Sequence, residues 1–94
     1  MNTIYEWEVL EVRDGELSDN VFHLDMKDID DIVFFIKNGH HVKVLKQFIN
    51  QNLGSGDREY YDIFPRDEWG IVDQTDKLPK YIQKYVNKVK NELA

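Results

Sequence analysis

The side chains best suited to metal or proton chemistry are three histidines, His23, His40 and His41. Adjacent residues of a strand point to opposite faces, so His40 and His41 do not close on one ion. No HExxH, no CxxC and no histidine pair at helical spacing accompanies them. The expectation is no metal and no other cofactor. Asp28-Ile29-Asp30-Asp31 has the outline of a calcium loop, but such a loop needs glycine at its sixth position and a bidentate acid at its twelfth, where Val33 and Gly39 stand. A helix start accounts for the same acids. Gly54-Ser55-Gly56 lacks the Gly-Lys-Ser/Thr of a phosphate cradle, and Asp57 follows at once and repels phosphate. A flexible hairpin loop suits it better.

Nucleophiles are equally sparse. The chain has no cysteine, and Ser18 and Ser55 fall in polar turns with no histidine relay. Carboxylates abound, but acid–base work needs two of them in a cleft with separated pKa values. Here they fall on strand faces and loops, where solvation is the ordinary fate. The residue types point to binding and not to an enzyme.

Charge narrows the kind of binding. The net charge is −6 and is unevenly spread: residues 1–31 carry −8, 32–56 carry +3, 57–76 carry −5 and 77–94 carry +4. Proteins of nucleic acid or anionic membranes show the opposite balance, so neither is an expected direct ligand. Two acidic segments stand out. The first holds Glu6, Glu8, Glu11, Asp14, Glu16, Asp19 and Asp25. Glu6 and Glu8 would lie about 6.7 Å apart on one strand face, close to the roughly 6.8 Å axial span of two phosphates on one DNA strand. Such an array can imitate a phosphate backbone; equally, it can keep an edge strand from aggregating. The second segment runs from Asp57 to Trp69 and mixes Asp57, Glu59, Asp62, Asp67 and Glu68 with Tyr60 and Trp69. Aromatic side chains and arginine are the types enriched at binding hot spots. Trp69 either stands exposed as an anchor or plugs an open end of the core.

These residues need a scaffold, and 94 residues make one domain, 1–94, with the 41% hydrophobic and 13% aromatic content of a folded protein. Ile4 to Val12 reads as a strand with Tyr5, Trp7 and Val9 on one face and Glu6 and Glu8 on the other. Its alternation breaks at Val9-Leu10, which suggests a bulge or a strong twist. Asp14-Gly15 is a tight-turn pair, although Ser18-Asp19-Asn20 can extend the loop, and Val21 to Met26 returns with Phe22, Leu24 and Met26 on one face. A helix follows, capped by Asp28, with Ile29, Ile32, Val33 and Ile36 at helical spacing and Asn38-Gly39 as a stop. His41 to Ile49 fits a strand or a helix; the strand is preferred for its early β-branched residues and the glycine-bearing loop after it. A helical reading would allow a helix-turn-helix over 28–50, which the acidic chain does not favour. Glu59 to Phe64 is a strand stopped by Pro65, and Gly70 to Val72 a possible short extra one. A last helix begins at Thr75 or Asp76, with Pro79 in its first turn, an apolar stripe of Leu78, Ile82, Tyr85, Val89 and Leu93, and Lys80, Lys84 and Lys88 on another face.

The expected fold is thus α+β in the order ββαββα, a mostly antiparallel sheet with two helices packed on one face. The absence of cysteine favours a reducing cytoplasm, no signal peptide is visible, and the longest apolar run, Ile32 to Ile36, is too short to span a bilayer. The functional expectation is a small acidic inhibitor or adaptor docking on a basic surface of a partner protein. A nucleic-acid mimic of phage or plasmid origin, aimed at a nucleic-acid-binding enzyme, would fit. An immunity-type protein that neutralises a toxin and a self-associating assembly protein are the alternatives.

Overall fold

The computed structural model describes residues 2–49 and 57–94. The Gly54-Ser55-Gly56 loop therefore lies outside the described residues. Strand β1 (Asn2–Arg13) and strand β2 (Glu16–Asp25) form a hairpin, helix α1 (Ile29–Lys37) follows, and strands β3 (His41–Ile49) and β4 (Arg58–Asp62) precede the final helix α2 (Lys80–Leu93). The four strands make one antiparallel sheet in the order β2-β1-β3-β4, with the helices packed on it. The architecture is α+β in the expected order.

Period-two alternation in β1 organises the sheet. Trp7 and Val9 face the helices and are fully buried with Val42 and Val44 of β3, Ile32 and Val33 of α1, and Ile82, Val86 and Val89 of α2. The register pairs Trp7 with Val44 and Val9 with Val42, so one dry layer runs across the two central strands. The Trp7 indole Nε1–H donates to the Met26 carbonyl at 3.1 Å, satisfying its one polar group inside the core. Because β2 and β3 both run antiparallel to β1, they are parallel to each other, and α1 carries the chain across β1 between them.

Local signals placed most boundaries. Asp14 (φ 52°) and Gly15 (φ 81°) both adopt positive φ, as a two-residue turn with right-handed strand twist demands. Asn38 and Gly39 (φ 87°) end α1, with the Asn38 side-chain amide donating to the Phe34 carbonyl at 2.7 Å. Residues 41–49 are strand, which removes the helix-turn-helix reading.

Elsewhere the structure departs from expectation. Asp28 sits at the N-cap of α1 but its side chain makes no capping bond. The irregularity in the hairpin falls between Leu10 and Val12, one step beyond Val9-Leu10, and it uses Ser18, Asp19 and Asn20. Those residues belong to β2 and do not lengthen the turn. Gly70 to Val72 forms no strand, only an isolated bridge between Arg66 and Ile71. The last helix starts later than expected: Thr75–Lys77 is a single 3-10 turn, Leu78 is extended (ψ 153°) and Pro79 is the N-cap. Proline excludes its predecessor from helical geometry, so Leu78 breaks the continuity. Leu45 is fully buried although it faces away from the helices, level with Glu6 on β1 and Tyr60 on β4.

Truncating Trp7 tests this core. Trp7→Ala should cost about 3–5 kcal/mol of unfolding free energy. Trp7→Phe should cost about 1–3 kcal/mol, because the Met26 carbonyl loses its donor. Urea unfolding monitored by circular dichroism reads both; wild-type stability in Trp7→Phe would show that the bond contributes nothing.

Candidate functional site

The acids of the hairpin fall into two groups, those used inside the fold and those offered to solvent. Glu8 points away from the helices, as alternation requires, yet it is only 6% exposed, and its Oε2 lies 3.2 Å from His23 Nε2 on β2. Lys43 stands opposite it on β3. Glu11 occupies the single β1 position facing Ser18, Asp19 and Asn20, where the register shifts. Its Oε1 accepts hydrogen bonds from Ser18 Oγ at 2.9 Å and Asn20 Nδ2 at 3.0 Å, and Arg13 Nε lies 2.6 Å away. The Asn20 bond first, then the Ser18 bond, holds the Glu11 carboxyl below the usual carboxylate range. Glu11 thus stitches the bulge together. Glu6 is half-buried on the same outer face as Glu8.

Asp14 at the turn and Glu16, Asp19 and Asp25 on β2 are exposed, as are Asp28, Asp30 and Asp31 around the start of α1. Residues 14–31 therefore present seven exposed acids against one base, Lys27. Among the described residues no ion pair ties any of the seven. Apolar side chains stand among them: Val21 is 47% and Phe22 43% exposed, and Leu17 is exposed as well. Phe22 stacks on Phe35 (6.1 Å, 12° between planes), and the adjacent Phe34 of α1 is 63% exposed.

The second acidic segment lies at the opposite edge, since β1 and β3 separate β2 from β4. Asp57, Glu59 and Tyr60 are exposed there. Glu59 accepts from the Tyr61 hydroxyl at 2.7 Å, a bond that pushes the phenol up to about 12, and Lys46 Nζ lies 3.9 Å from it. Tyr60 lies under Lys43, whose Nζ is 5.2 Å from the ring centre. Asp62 sits 3.5 Å from Nε2 of the buried His41. Trp69 is 52% exposed, stacks on His41 (6.3 Å, 17°) and carries the Arg66 guanidinium 5.0 Å from its ring centre. It is at once an exposed ring and the cover of a buried histidine. Burial, then the charges of Arg66 and Lys43, lowers the His41 pKa, and Asp62 offsets this only in part. Glu68 is exposed beside it, and Asp67 opens the same short 3-10 turn.

The fourteen residues singled out by sequence therefore do not form one surface. Glu8 and Glu11 are committed internally, Glu6 stays half-buried on the outer face of central β1, and the rest divide between the two edges. Sequence reading passed over the exposed Val21, Phe22 and Phe34 and the pairing of His41 with Trp69. The signal for Val21 was available: it falls on the polar phase of its strand.

Among the described residues no group of three or more histidine, cysteine or acidic side chains could hold a metal ion. No helix there is long and apolar enough to cross a membrane. Two open depressions flank α2, one of about 330 Å³ against Ile63, Phe64 and Pro65 and one of about 380 Å³ lined by Asp73, Thr75, Gln83 and Lys90, at the lower end of the roughly 300–1,000 Å³ of ordinary ligand pockets. A smaller cavity of about 80 Å³ lies between the end of α1 and Phe64 and Arg66. Comparison with known protein families, with curated proteins and with solved structures finds no match to this chain.

Two titrations should mark stability. His41 has a folded pKa below its ordinary 6.5, so the unfolded chain takes up that proton first and stability falls as pH drops below 6.5. Glu11 has a folded pKa below 4.5, so its contribution is full above 4.5 and is lost as pH falls through the folded value. Glu11→Gln, which keeps an acceptor oxygen but no charge, should be less stable at neutral pH and should show a smaller acidic loss, since Asp73, also held below its ordinary value, still contributes one, while retaining the loss near 6.5. Urea unfolding between pH 3 and 8 checks both; an unchanged acidic limb in Glu11→Gln would refute the role given to this carboxylate.

Proposed function

We propose that this protein is a non-catalytic inhibitor or adaptor that docks on a basic surface of a partner protein through the β2 edge and the adjoining start of α1. The observation that carries this reading is the run of seven exposed acids over residues 14–31 with exposed Val21 and Phe22 among them. A merely solubilising face has no use for half-exposed apolar side chains between its charges, whereas an interface combines an apolar centre with a polar rim. The negative field supports a partner whose binding face is basic, as a nucleic-acid-binding enzyme presents, so that the acidic edge stands where phosphates otherwise would. The cysteine-free sequence supports a reducing compartment, the cytoplasm.

A second reading draws on Trp69. Its ring is held between His41 and Arg66 yet half exposed, with Tyr60 exposed on neighbouring β4. A pre-set aromatic anchor of this kind suits an immunity-type protein that neutralises one toxin.

The two readings separate experimentally. Affinity capture from the native host's lysate, repeated from low to high salt, should retain a basic protein whose binding falls steeply with salt. The Asp14→Lys, Glu16→Lys, Asp19→Lys, Asp25→Lys variant should lose that partner while circular dichroism still reports the folded domain; wild-type retention would overturn the proposal. If the aromatic edge is the contact instead, Trp69→Ala should weaken binding by about 2 kcal/mol or more, with little salt dependence.

A further inference from the structure

The two edges of the sheet are finished differently. On β4, the Asp62 N–H donates to Gln74 Oε1 at 3.0 Å and its carbonyl accepts from the Gln74 N–H at 2.7 Å. The chain itself thereby fills that outward position. On β2, the bonds from outside the ladder among the described residues are confined to the bulge, where Asn20 N–H donates to Ser18 Oγ, and to the end of the strand, where Asp28 N–H donates to the Asp25 carbonyl. An edge strand turns every second N–H and C=O outward, and proteins commonly block such a row with proline or lysine. β2 contains neither.

Beyond the bulge, Val21–Asp25 keeps regular register with β1, from Leu10 opposite Val21 to Glu6 opposite Asp25. This stretch offers an apolar grip on both faces of the sheet. Val21 projects on the outer face and Phe22 on the helix side, next to Phe35 and the exposed Phe34. The surrounding charge selects what can lie there. A second copy would set seven exposed acids against seven, which like-charge repulsion opposes. A lysine- or arginine-bearing strand meets the same acids favourably.

We propose that the free edge at Val21–Asp25 is a docking site for an extended basic segment of the partner protein, which joins the sheet as a fifth strand beside β2. This rests on the docking reading above and specifies its mode. Main-chain hydrogen bonds to β2 supply the register, and Val21 and Phe22 contact apolar side chains of the incoming strand. Its basic side chains face Asp19 and Asp25.

The test titrates the whole protein with a ten-residue peptide that alternates lysine with valine or threonine, following backbone amide shifts by NMR. Two further peptides carry N-methyl groups on alternate residues, one in each phase, so that only one of them loses the donors facing β2. The expected result is binding of the parent peptide with shifts centred on Val21–Asp25, and loss of affinity by about tenfold or more for one methylated phase only. Equal binding of all three peptides would overturn strand addition and leave salt-sensitive docking through the acids standing. No binding by the parent peptide would overturn it as well, with the lysate capture remaining the separate test of docking. Sedimentation showing dimers joined through β2 would overturn it in favour of a second copy.

Discussion

The indole of Trp7 sits where every layer of the molecule meets. It packs under both helices, pairs across the sheet with Val44, and gives its single N–H to the carbonyl of Met26, the residue that ends the hairpin. Placing a tryptophan in the most enclosed position of β1 leaves no freedom in phase. Its neighbours Glu6 and Glu8 must face the other way, and a slip of one residue would drive both carboxylates into the apolar layer. The outer face is thereby committed as well, down to Lys43 opposite Glu8 and Leu45 opposite Glu6.

That commitment explains why the outer face is not a simple acidic plate. Its middle is occupied by the Glu8–His23 pair and, further along, by His41 beneath Trp69. Charge offered to solvent is displaced to the rims, where, among the described residues, β2 on one side and β4 on the other have no further strand to pair with. The rims differ in character. Around β4 the acids are interlaced with tyrosine, arginine and lysine, whereas around β2 they stand among bare apolar side chains.

Periodicity made the element order, the two faces of β1 and the turn at Asp14-Gly15 legible in advance, because each is dictated by residues adjacent in sequence. The bulge was visible only as a disturbance. Ser18-Asp19-Asn20 has the composition of a loop, and nothing local shows that an earlier carboxylate, Glu11, recruits the Ser18 and Asn20 side chains and so draws the segment into strand geometry. Val86 illustrates a second limit: it is fully buried in α2 but lay off the stripe read through Tyr85, since a helix pressed on a sheet buries a broader arc than one line of residues. The division of the candidate surface was beyond local reading altogether. Strand order decides which segments become neighbours, and β3, inserted beside β1 by the α1 crossover, is what carries Asp57–Trp69 away from the hairpin. The late start of α2, by contrast, was foreshadowed by Pro79, which forbids helical geometry at Leu78.

The segregation of charge along the chain acquires a spatial meaning in the fold. Exposed Lys80, Lys84 and Lys88 ride on α2, whereas the exposed acids of residues 14–31 lie on the hairpin and at the start of α1. The molecule is therefore an electric dipole as well as an anion. Near a positively charged body, within about a Debye length of roughly 8 Å at physiological salt, such a dipole feels a torque before any atoms touch. It turns the β2 rim forward and holds the lysine face back. Collisions then arrive already oriented, which raises the encounter rate without adding a single contact to the bound state.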